Sequence, residues 1–456
     1  MTTSVAAVDL GATSGRVILG VVSPNDVRLQ HVARFPNRPV TVPEGSGSTG
    51  LHWDILGLWA AIGEGLAQAS RIDPEIASIG VDSWAVDYGL LRQGRLIGLP
   101  YHYRDDRNAA AVPAVHAALP ADELYRRTGL AHLPFNTVFQ LAADRDAGTL
   151  GLADRALLVP DLIGRWLTGV EVTERTNAST TGMLSPVSGG WDPAILSAVG
   201  VPPGLFAPLV DPGTTIGALL PSLAPALGGG RAIPVTTVGS HDTASAVVGV
   251  PLDDEHSAYI SSGTWSLVGL EVAKPIVTPP ARQANFTNEG GVDGRVRFLK
   301  NISGLWLLSE SMRTWDAAAS DASRSSDLAS LLAAAASVSG EVAVFDAADE
   351  RFTPPGDMPL RIHEWCVEHD VEPPRPGPRS SAASSNRSPR RTRAPSTRRR
   401  RCRVAGSRRC TSSGEARRTN CSAGSPPTAP GAPSSPGPSR PPPSATCWCR
   451  RGPPAS

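Results

Sequence analysis

The sequence predicts an α/β protein of two similarly built halves, followed by a tail of different chemistry. Three observations carry this prediction. Short β-branched runs alternate with an amphipathic helical stretch near the N-terminus, a strand–turn–strand pattern occurs twice, and the composition changes abruptly near residue 370. Strands interleaved with helices mark an α/β architecture.

Residues 3–8 form a β-branched run, broken by Asp9-Leu-Gly-Ala-Thr-Ser-Gly15 and resumed over residues 16–22. Two apolar runs around a polar, glycine-rich turn predict a hairpin. Between residues 54 and 67, Ile55, Leu58, Trp59, Ile62 and Leu66 recur at helical spacing and predict one buried helix face. Residues 76–81 read as a strand that ends in Asp82-Ser-Trp-Ala-Val-Asp87. The second half opens near residue 245. Residues 258–270, Ala-Tyr-Ile-Ser-Ser-Gly-Thr-Trp-Ser-Leu-Val-Gly-Leu, again give strand, hydroxyl-and-glycine turn and strand, an echo of residues 3–22. Residues 301–315 predict a helix with Ile302, Leu305, Trp306, Leu308 and Met312 on one side. Pro202-Pro203, Pro212-Gly213 and Gly228-Gly-Gly230 punctuate the stretch before the second half, where a hinge or linker is expected. The expected domains are residues 1–244 and 245–375, with a tail over 376–456.

The chain of 456 residues carries 43 basic and 42 acidic side chains, and its net charge of +1 averages two oppositely charged polymers. Residues 371–456 hold 18 Arg, no Lys and two acids, a net of +16, whereas residues 1–370 hold 25 basic and 40 acidic side chains, a net of −15. The basic segment has 17 Pro and 16 Ser but no Leu, Ile, Met, Phe or Tyr. It cannot bury enough apolar surface to offset its ordering entropy, so disorder is expected there. The acidic body is long enough for two domains. No apolar run reaches the roughly 18 residues that predict a membrane span. Five of six Cys lie in the tail, which excludes a disulfide scaffold. The N-terminus lacks a basic flank and meets Asp9 too early for a secretory signal, so a cytoplasmic location is expected.

Gly11-Ala-Thr-Ser-Gly15 with Arg16 supplies backbone N–H groups, hydroxyls and a cation, the chemistry of an anion cradle. It lacks the P-loop spacing and lysine, and an ordinary hairpin turn explains the same residues. Ser261-Ser-Gly-Thr264 offers a second such turn, and two facing turns could share the phosphates of one nucleotide. Asp9 could hold Mg²⁺ through water, or merely start the turn. In Ser240-His241-Asp242-Thr243 a carboxylate at a helix start could accept the proton of a sugar hydroxyl, or cap the helix. Trp84 with Asp82 and Asp87 suggests a sugar platform, with core packing the alternative. Arg104-Asp105-Asp106-Arg107 reads as solvated, mutually paired charge.

Longer motifs narrow these choices. Residues 5–20 resemble the first phosphate loop of the FGGY carbohydrate kinases. The resemblance continues through Asp82-Ser-Trp-Ala-Val-Asp-Tyr-Gly89, Tyr103-Arg-Asp-Asp-Arg107, Asn136-Thr-Val-Phe-Gln-Leu141, Pro160-Asp-Leu162 and Trp166-Leu-Thr-Gly169. Thr176-Asn-Ala-Ser-Thr-Thr181, Ser240-His-Asp-Thr-Ala-Ser-Ala246 and Ser261-Ser-Gly-Thr-Trp-Ser-Leu267 extend it. Asn285-Phe-Thr-Asn-Glu-Gly-Gly291, Lys300-Asn-Ile-Ser-Gly-Leu-Trp306 and Pro355-Gly-Asp-Met-Pro359 complete it. It implies two actin-like, ribonuclease-H-type domains around a cleft. The nearest branch of the family moves the γ-phosphoryl of ATP to the 1-hydroxyl of L-rhamnulose, so L-rhamnulose, ATP and Mg²⁺ are the implied ligands. Neither membrane nor nucleic acid is expected as a partner, and a monomer is expected. Position by position, the resemblance implies that Ala12, Thr13, Ser14, Gly15 and Arg16 contact ATP phosphates, joined by Thr264 from the second domain. It implies Asp242 as the base, with His241, Thr243, Ala85 and Asn301 beside the sugar. Asp9 becomes an indirect Mg²⁺ partner.

There are departures from the family. Ala85 replaces a usual Gly, and Ser309 stands where a nucleotide-contacting Gln is usual. The family's Gly-Gly-Gly-Ser adenosine loop has no counterpart after residue 370. The tail admits three readings: an Arg-rich nucleic-acid arm, a weak zinc module lacking Cys-x₂-Cys and His, and the product of a frameshift near residue 375. The body uses two Lys against 23 Arg, which suggests GC-rich codons, and shifted GC-rich codons spell Arg, Pro, Ala, Ser and Gly. The frameshift reading is the expectation, leaving the second domain incomplete and the chain poorly active. The alternatives to a kinase are an inactive, sugar-binding remnant and a nucleic-acid binder.

Overall fold

The computed structural model describes residues 2–252, 256–263, 265–317, 328–339, 342–353, 355–374 and 410–413. Its first half is organised by a six-stranded sheet of β1 (Thr3–Leu10), β2 (Ser14–Val22), β3 (Val27–Pro36), β4 (Ser78–Ser83), β5 (Thr215–Ala218) and β6 (Pro234–Thr236). The order across the sheet is β5-β6-β4-β1-β2-β3. Strands β1 to β3 form an antiparallel meander, and β4 lies parallel to β1 with Asp82 opposite Asp9. Helix α1 (Ile55–Ile72) crosses between them. Its Ile55, Leu58, Ile62 and Leu66 are buried as their spacing predicts, packing with Val8, Leu10 and Val17 of the sheet. Asp54 caps the helix by accepting from the Gly57 N–H at 3.0 Å. A second core holds Tyr88, Phe139, Leu158 and Ile195.

Short helix α2 (Asp242–Val248) leads into the second sheet. That sheet comprises β7 (Ala258–Ser262), β8 (Ser266–Val272), β9 (Thr287–Gly290), β10 (Val296–Ile302) and β11 (Cys410–Ser413) in the order β9-β10-β8-β7-β11. The echo of two hairpins thus extends further than the sequence shows. β7, β8 and β10 repeat the antiparallel meander, and β11 lies parallel to β7 as β4 does to β1. This is the actin-like, ribonuclease-H-type topology twice over. Helices α3 (Leu305–Ala317) and α4 (Met358–Glu368) accompany the second sheet.

Several expectations are corrected. Asn301 and Ile302 belong to β10 rather than to the following helix, because residues 296–302 pair fully with β8. Helix α3 buries Glu310 and Ser311 rather than one apolar face; Glu310 is held by Arg313 at 2.7 Å and the Gly356 N–H at 2.6 Å. The Pro/Gly-rich stretch is not a linker, since β5 and β6 lie within it and complete the first sheet. Residue 245 falls inside α2. The tail, expected to be disordered, lies outside the described residues except for β11. That strand needs no apolar side chains, since edge pairing uses only main-chain N–H and C=O groups.

The charged segment 104–107 is not a solvated run. Arg104 donates to Thr353 O at 3.0 Å and lies 4.3 Å from the Trp306 ring centroid. Arg107 pairs with buried Asp144 at 2.5 Å, and Asp105 accepts the Leu51 N–H at 2.7 Å. Among the described residues, no helix is long and apolar enough to cross a membrane.

Gly65 on α1 shows how closely the first layer packs: an added Cβ would sit 2.5 Å from Val17 Cγ2 on β2. Alanine favours a helix by about 1 kcal/mol over glycine, but overpacking costs about 1–3 kcal/mol. Gly65→Ala is therefore expected to lower the melting temperature by about 2–4 °C despite its better propensity, as thermal unfolding will show.

Candidate active site

The site is built where β1, β4 and α2 meet. The turn after β1 closes through Gly11 N–H to Ser14 O at 3.0 Å. Asn37 braces it by donating from its amide to Gly11 O at 2.8 Å and from its backbone to Thr13 O at 3.0 Å. Gly15 is required by packing, since a Cβ there would lie 2.2 Å from the Phe35 ring. Ala12 and Ser14 are half-buried and Thr13 is exposed, so the turn presents its hydroxyls outward. Arg16, directly across the ladder from Asp9, approaches its carboxylate at 3.5 Å.

Two main-chain bonds join the other parts to this turn. Trp84 N–H donates to Leu10 O at 3.0 Å, and Ser83 N–H donates to Ser240 O at 2.9 Å. The second bond sets the start of α2 beside β4. Glu174 fixes the same segment from behind: its buried carboxylate accepts from Ser240 N at 3.0 Å, Ser240 Oγ at 2.7 Å and Thr176 Oγ1 at 2.6 Å.

The helix N-cap is His241, with no side-chain cap, so Asp242 does not cap the helix. Its Oδ1 accepts from Thr243 Oγ1 at 3.1 Å and lies 3.4 Å from His241 Nε2. Asp242 remains partly exposed, whereas His241 is buried. Behind them Asp82 is fully buried with both carboxylate oxygens unpartnered among the described residues. Burial first, then the negative charges of Asp9 and Asp242, pushes its pKa well above the ordinary value. Asp9, Asp82, Asp242 and Arg16 thus form one electrostatic cluster, though among the described residues no group of three or more His, Cys, Asp or Glu could hold a metal ion.

The platform suggested by Trp84 and Asp87 is internal rather than open. Asp87 Oδ2 accepts both indole N–H groups, from Trp53 at 2.6 Å and Trp84 at 3.0 Å, and the Tyr103 N–H at 3.2 Å. Its Oδ1 accepts from Gln140 at 2.8 Å, so the carboxylate orients the aromatic stack rather than facing a ligand. Ala85, half-buried, enters a tight turn in which Asp87 N–H donates to Ala85 O at 2.9 Å around Val86 at φ 68°. A β-branched residue there is strained. Thr137 Oγ1 holds the Val86 carbonyl at 2.6 Å, which explains why residues 136–141 carry a motif.

The remaining candidates are more distant in the chain. Asn301 is half-buried on β10 opposite Leu267, and Ser309 is exposed on α3. No hydrogen bond among the described residues ties either to the carboxylate cluster. Thr264 lies outside the described residues. The structure adds Glu289 and Arg297: Arg297 is completely buried and reaches His241 Nδ1 at 2.9 Å. Glu289 was visible within the motif 285–291; Arg297, alone between two motifs, carried no signal.

Comparison with known proteins gives a decisive match. Residues 4–249 match the N-terminal domain of the FGGY family of carbohydrate kinases, and residues 258–383 match its C-terminal domain. The chain belongs to the FGGY family of carbohydrate kinases. It is 43% identical over 371 residues to a rhamnulokinase of Pectobacterium carotovorum, covering 80% of this chain and 71% of that protein. A rhamnulokinase of Yersinia pestis is 41% identical over 373 residues, covering 81% and 73%. Among solved structures, xylulose kinases from Lactobacillus acidophilus and Rhodospirillum rubrum share the fold, each with a TM-score of 0.60, at 18% and 20% identity. They cover 69% and 74% of this chain; the chain spans 63% of the first and 67% of the second. These matches favour neither the sugar-binding remnant nor the nucleic-acid binder.

Burial pushes the Asp87 carboxyl up from 3.8 to about 7, against its four donors. A raised acid contributes stability that is fully present below its unfolded value and lost as pH rises through its folded value. Between about pH 4 and about pH 8, wild-type protein should therefore lose stability relative to Asp87→Asn, measured as the difference in melting temperature.

Proposed function

We propose that the chain is an ATP-dependent sugar kinase that transfers the γ-phosphoryl group to the 1-hydroxyl of L-rhamnulose. The observation that carries this reading is the placement of Asp242, partly exposed at the start of α2, beside the turn of residues 11–16. Its Oδ1 is engaged by Thr243 and faced by His241, so Oδ2 is the oxygen available to a substrate hydroxyl. Asp242 takes the hydroxyl proton as the oxygen attacks.

The turn of Ala12 to Gly15 and Arg16 receive the phosphates, with Thr264 and Ser309 contributing from the second half and Asn301 beside the sugar. Asp9 and Asp82 offer hard carboxylate oxygens, and the unpartnered oxygens of Asp82 suit an ion that keeps its waters. Bound there, Mg²⁺ would neutralise phosphate charge during transfer. Ala85 narrows the sugar side by one methyl, which places its effect on sugar choice rather than on proton transfer. The choice of sugar rests on the rhamnulokinase relatives.

Coupled detection of ADP release with L-rhamnulose tests the proposal. Asp242→Asn is expected to lower kcat by about 10²–10⁴-fold while L-rhamnulose still raises the melting temperature. A wild-type chain that neither releases ADP with L-rhamnulose nor is stabilised by it would sink the reading.

A further inference from the structure

Arg297 has no part in the transfer just described, yet among the described residues it is the second-largest fully buried side chain. It stands on β10, donates from Nε to Gly290 O at 2.9 Å and from Nη2 to His241 Nδ1 at 2.9 Å. Glu289 Oε2 lies 3.2 Å from Nη2 and 3.4 Å from His241 Nδ1. Burial opposes ionisation of Glu289, but the Arg297 guanidinium beside it holds its pKa below the ordinary carboxylate value. The guanidinium therefore has a buried counter-charge.

These contacts decide where the imidazole proton sits. A guanidinium carries donors only and does not deprotonate, so the nitrogen facing it at 2.9 Å must present its lone pair. His241 is then neutral, and its one ring proton is on Nε2. Nε2 lies 3.4 Å from Asp242 Oδ1, the same oxygen that accepts from Thr243. With the opposite tautomer, Nε2 would turn a lone pair toward the carboxylate and repel it.

We propose that Arg297 is a positioning residue, selecting the Nε2–H tautomer of His241 and thereby aiming Asp242 Oδ2 at the substrate hydroxyl. This rests on Asp242 being the base. The relay joins two sheets: Arg297 and Glu289 belong to the second, whereas His241 is bridged to Ser83 of the first. Separation of the sheets breaks it, so the base is correctly aimed only while the two halves are together. ATP and sugar bound between the halves would therefore also set the base.

Long-range ¹H–¹⁵N spectra of ¹⁵N-histidine-labelled protein test this, with the His241 signals identified by their absence from His241→Gln. Wild-type protein should show the Nε2–H pattern with or without turnover. Arg297→Met should move His241 toward Nδ1–H, facing Glu289, and lower kcat about 10–100-fold with KM for ATP nearly unchanged. Arg297→Lys, which keeps a cationic donor, should restore the wild-type tautomer and most of kcat. If Glu289, left unpaired, prevents folding of Arg297→Met, the double variant Glu289→Gln/Arg297→Met removes both charges, keeps an amide oxygen to accept from Nδ1–H, and gives the same readouts. A folded variant without Arg297 that retains the Nε2–H pattern, or that loses it without loss of kcat, overturns the proposal. Asp242→Asn in parallel separates the two readings. If it turns over normally, the base assignment fails and the relay with it; if only Arg297→Met turns over normally, the positioning role alone fails.

Discussion

One buried carboxylate sets the position on which the rest of the site depends. Glu174 collects the Ser240 amide and hydroxyl, the Thr176 amide and hydroxyl and the Asn177 amide, and all of these donors are buried. Burial raises its pKa, while these hydrogen bonds favour its ionised form. Such a charge is tolerable inside a protein only when fully surrounded by donors, and removing any one of them leaves the rest in an unfavourable medium. The segment before α2 therefore has one position, and Asp242 is placed by groups far from it in sequence.

The aromatic platform follows the same logic with a second buried carboxylate. Asp87 draws Trp53, Trp84, Gln140 and Tyr103 around one point, and the Trp53 and Trp84 ring centroids lie 4.0 Å apart with the planes tilted by 34°. Holding Asp87 there requires the turn at Val86, whose positive φ a valine resists. Thr137 and Gln140 over-determine that turn from the neighbouring helix. Two motifs fifty residues apart are thus one strained structure, and strain kept in place by several partners is typical of sites that hold a ligand.

Much of this was legible in the residues and some was not, for reasons that differ. The face of α1 was legible because five apolar residues at helical spacing admit little else. The repeated hairpin was legible because turn chemistry is local. Asn301 and Ile302, the end of β10, were read into the following helix because Ile302 fits the helical spacing of Leu305 and Trp306; only pairing with β8, a long-range event, decides between them. Gly15 was read as making room for an anion; that it also lies against the Phe35 ring is a long-range contact no local pattern shows. Arg104 to Arg107 looked like a solvated charge run because a sequence does not show that Trp306, Thr353 and Asp144 come to meet it. Arg297 is the extreme case: a lone arginine in a strand acquires meaning only when His241 stands opposite.

The two halves use one topology, and the helix that carries Asp242 takes part in the packing of both. The first sheet rests on a large core that includes Trp53, Ile62, Leu66 and Ile79, and a second core adjoins it. Among the described residues of the second half, Val247, Tyr259, Leu267 and Leu299 form a buried cluster beneath the sheet. Val247 belongs to α2. The helix that offers Asp242 to the first half at its start is therefore also part of the small core of the second half. The proposed base would be indifferent to the other half if the first sheet alone carried it. Carried on α2, with Arg297 reaching His241 from β10, it is sensitive to both. Glu174 of the first half holds the segment before α2, and Arg297 of the second half holds the His241 ring beside Asp242.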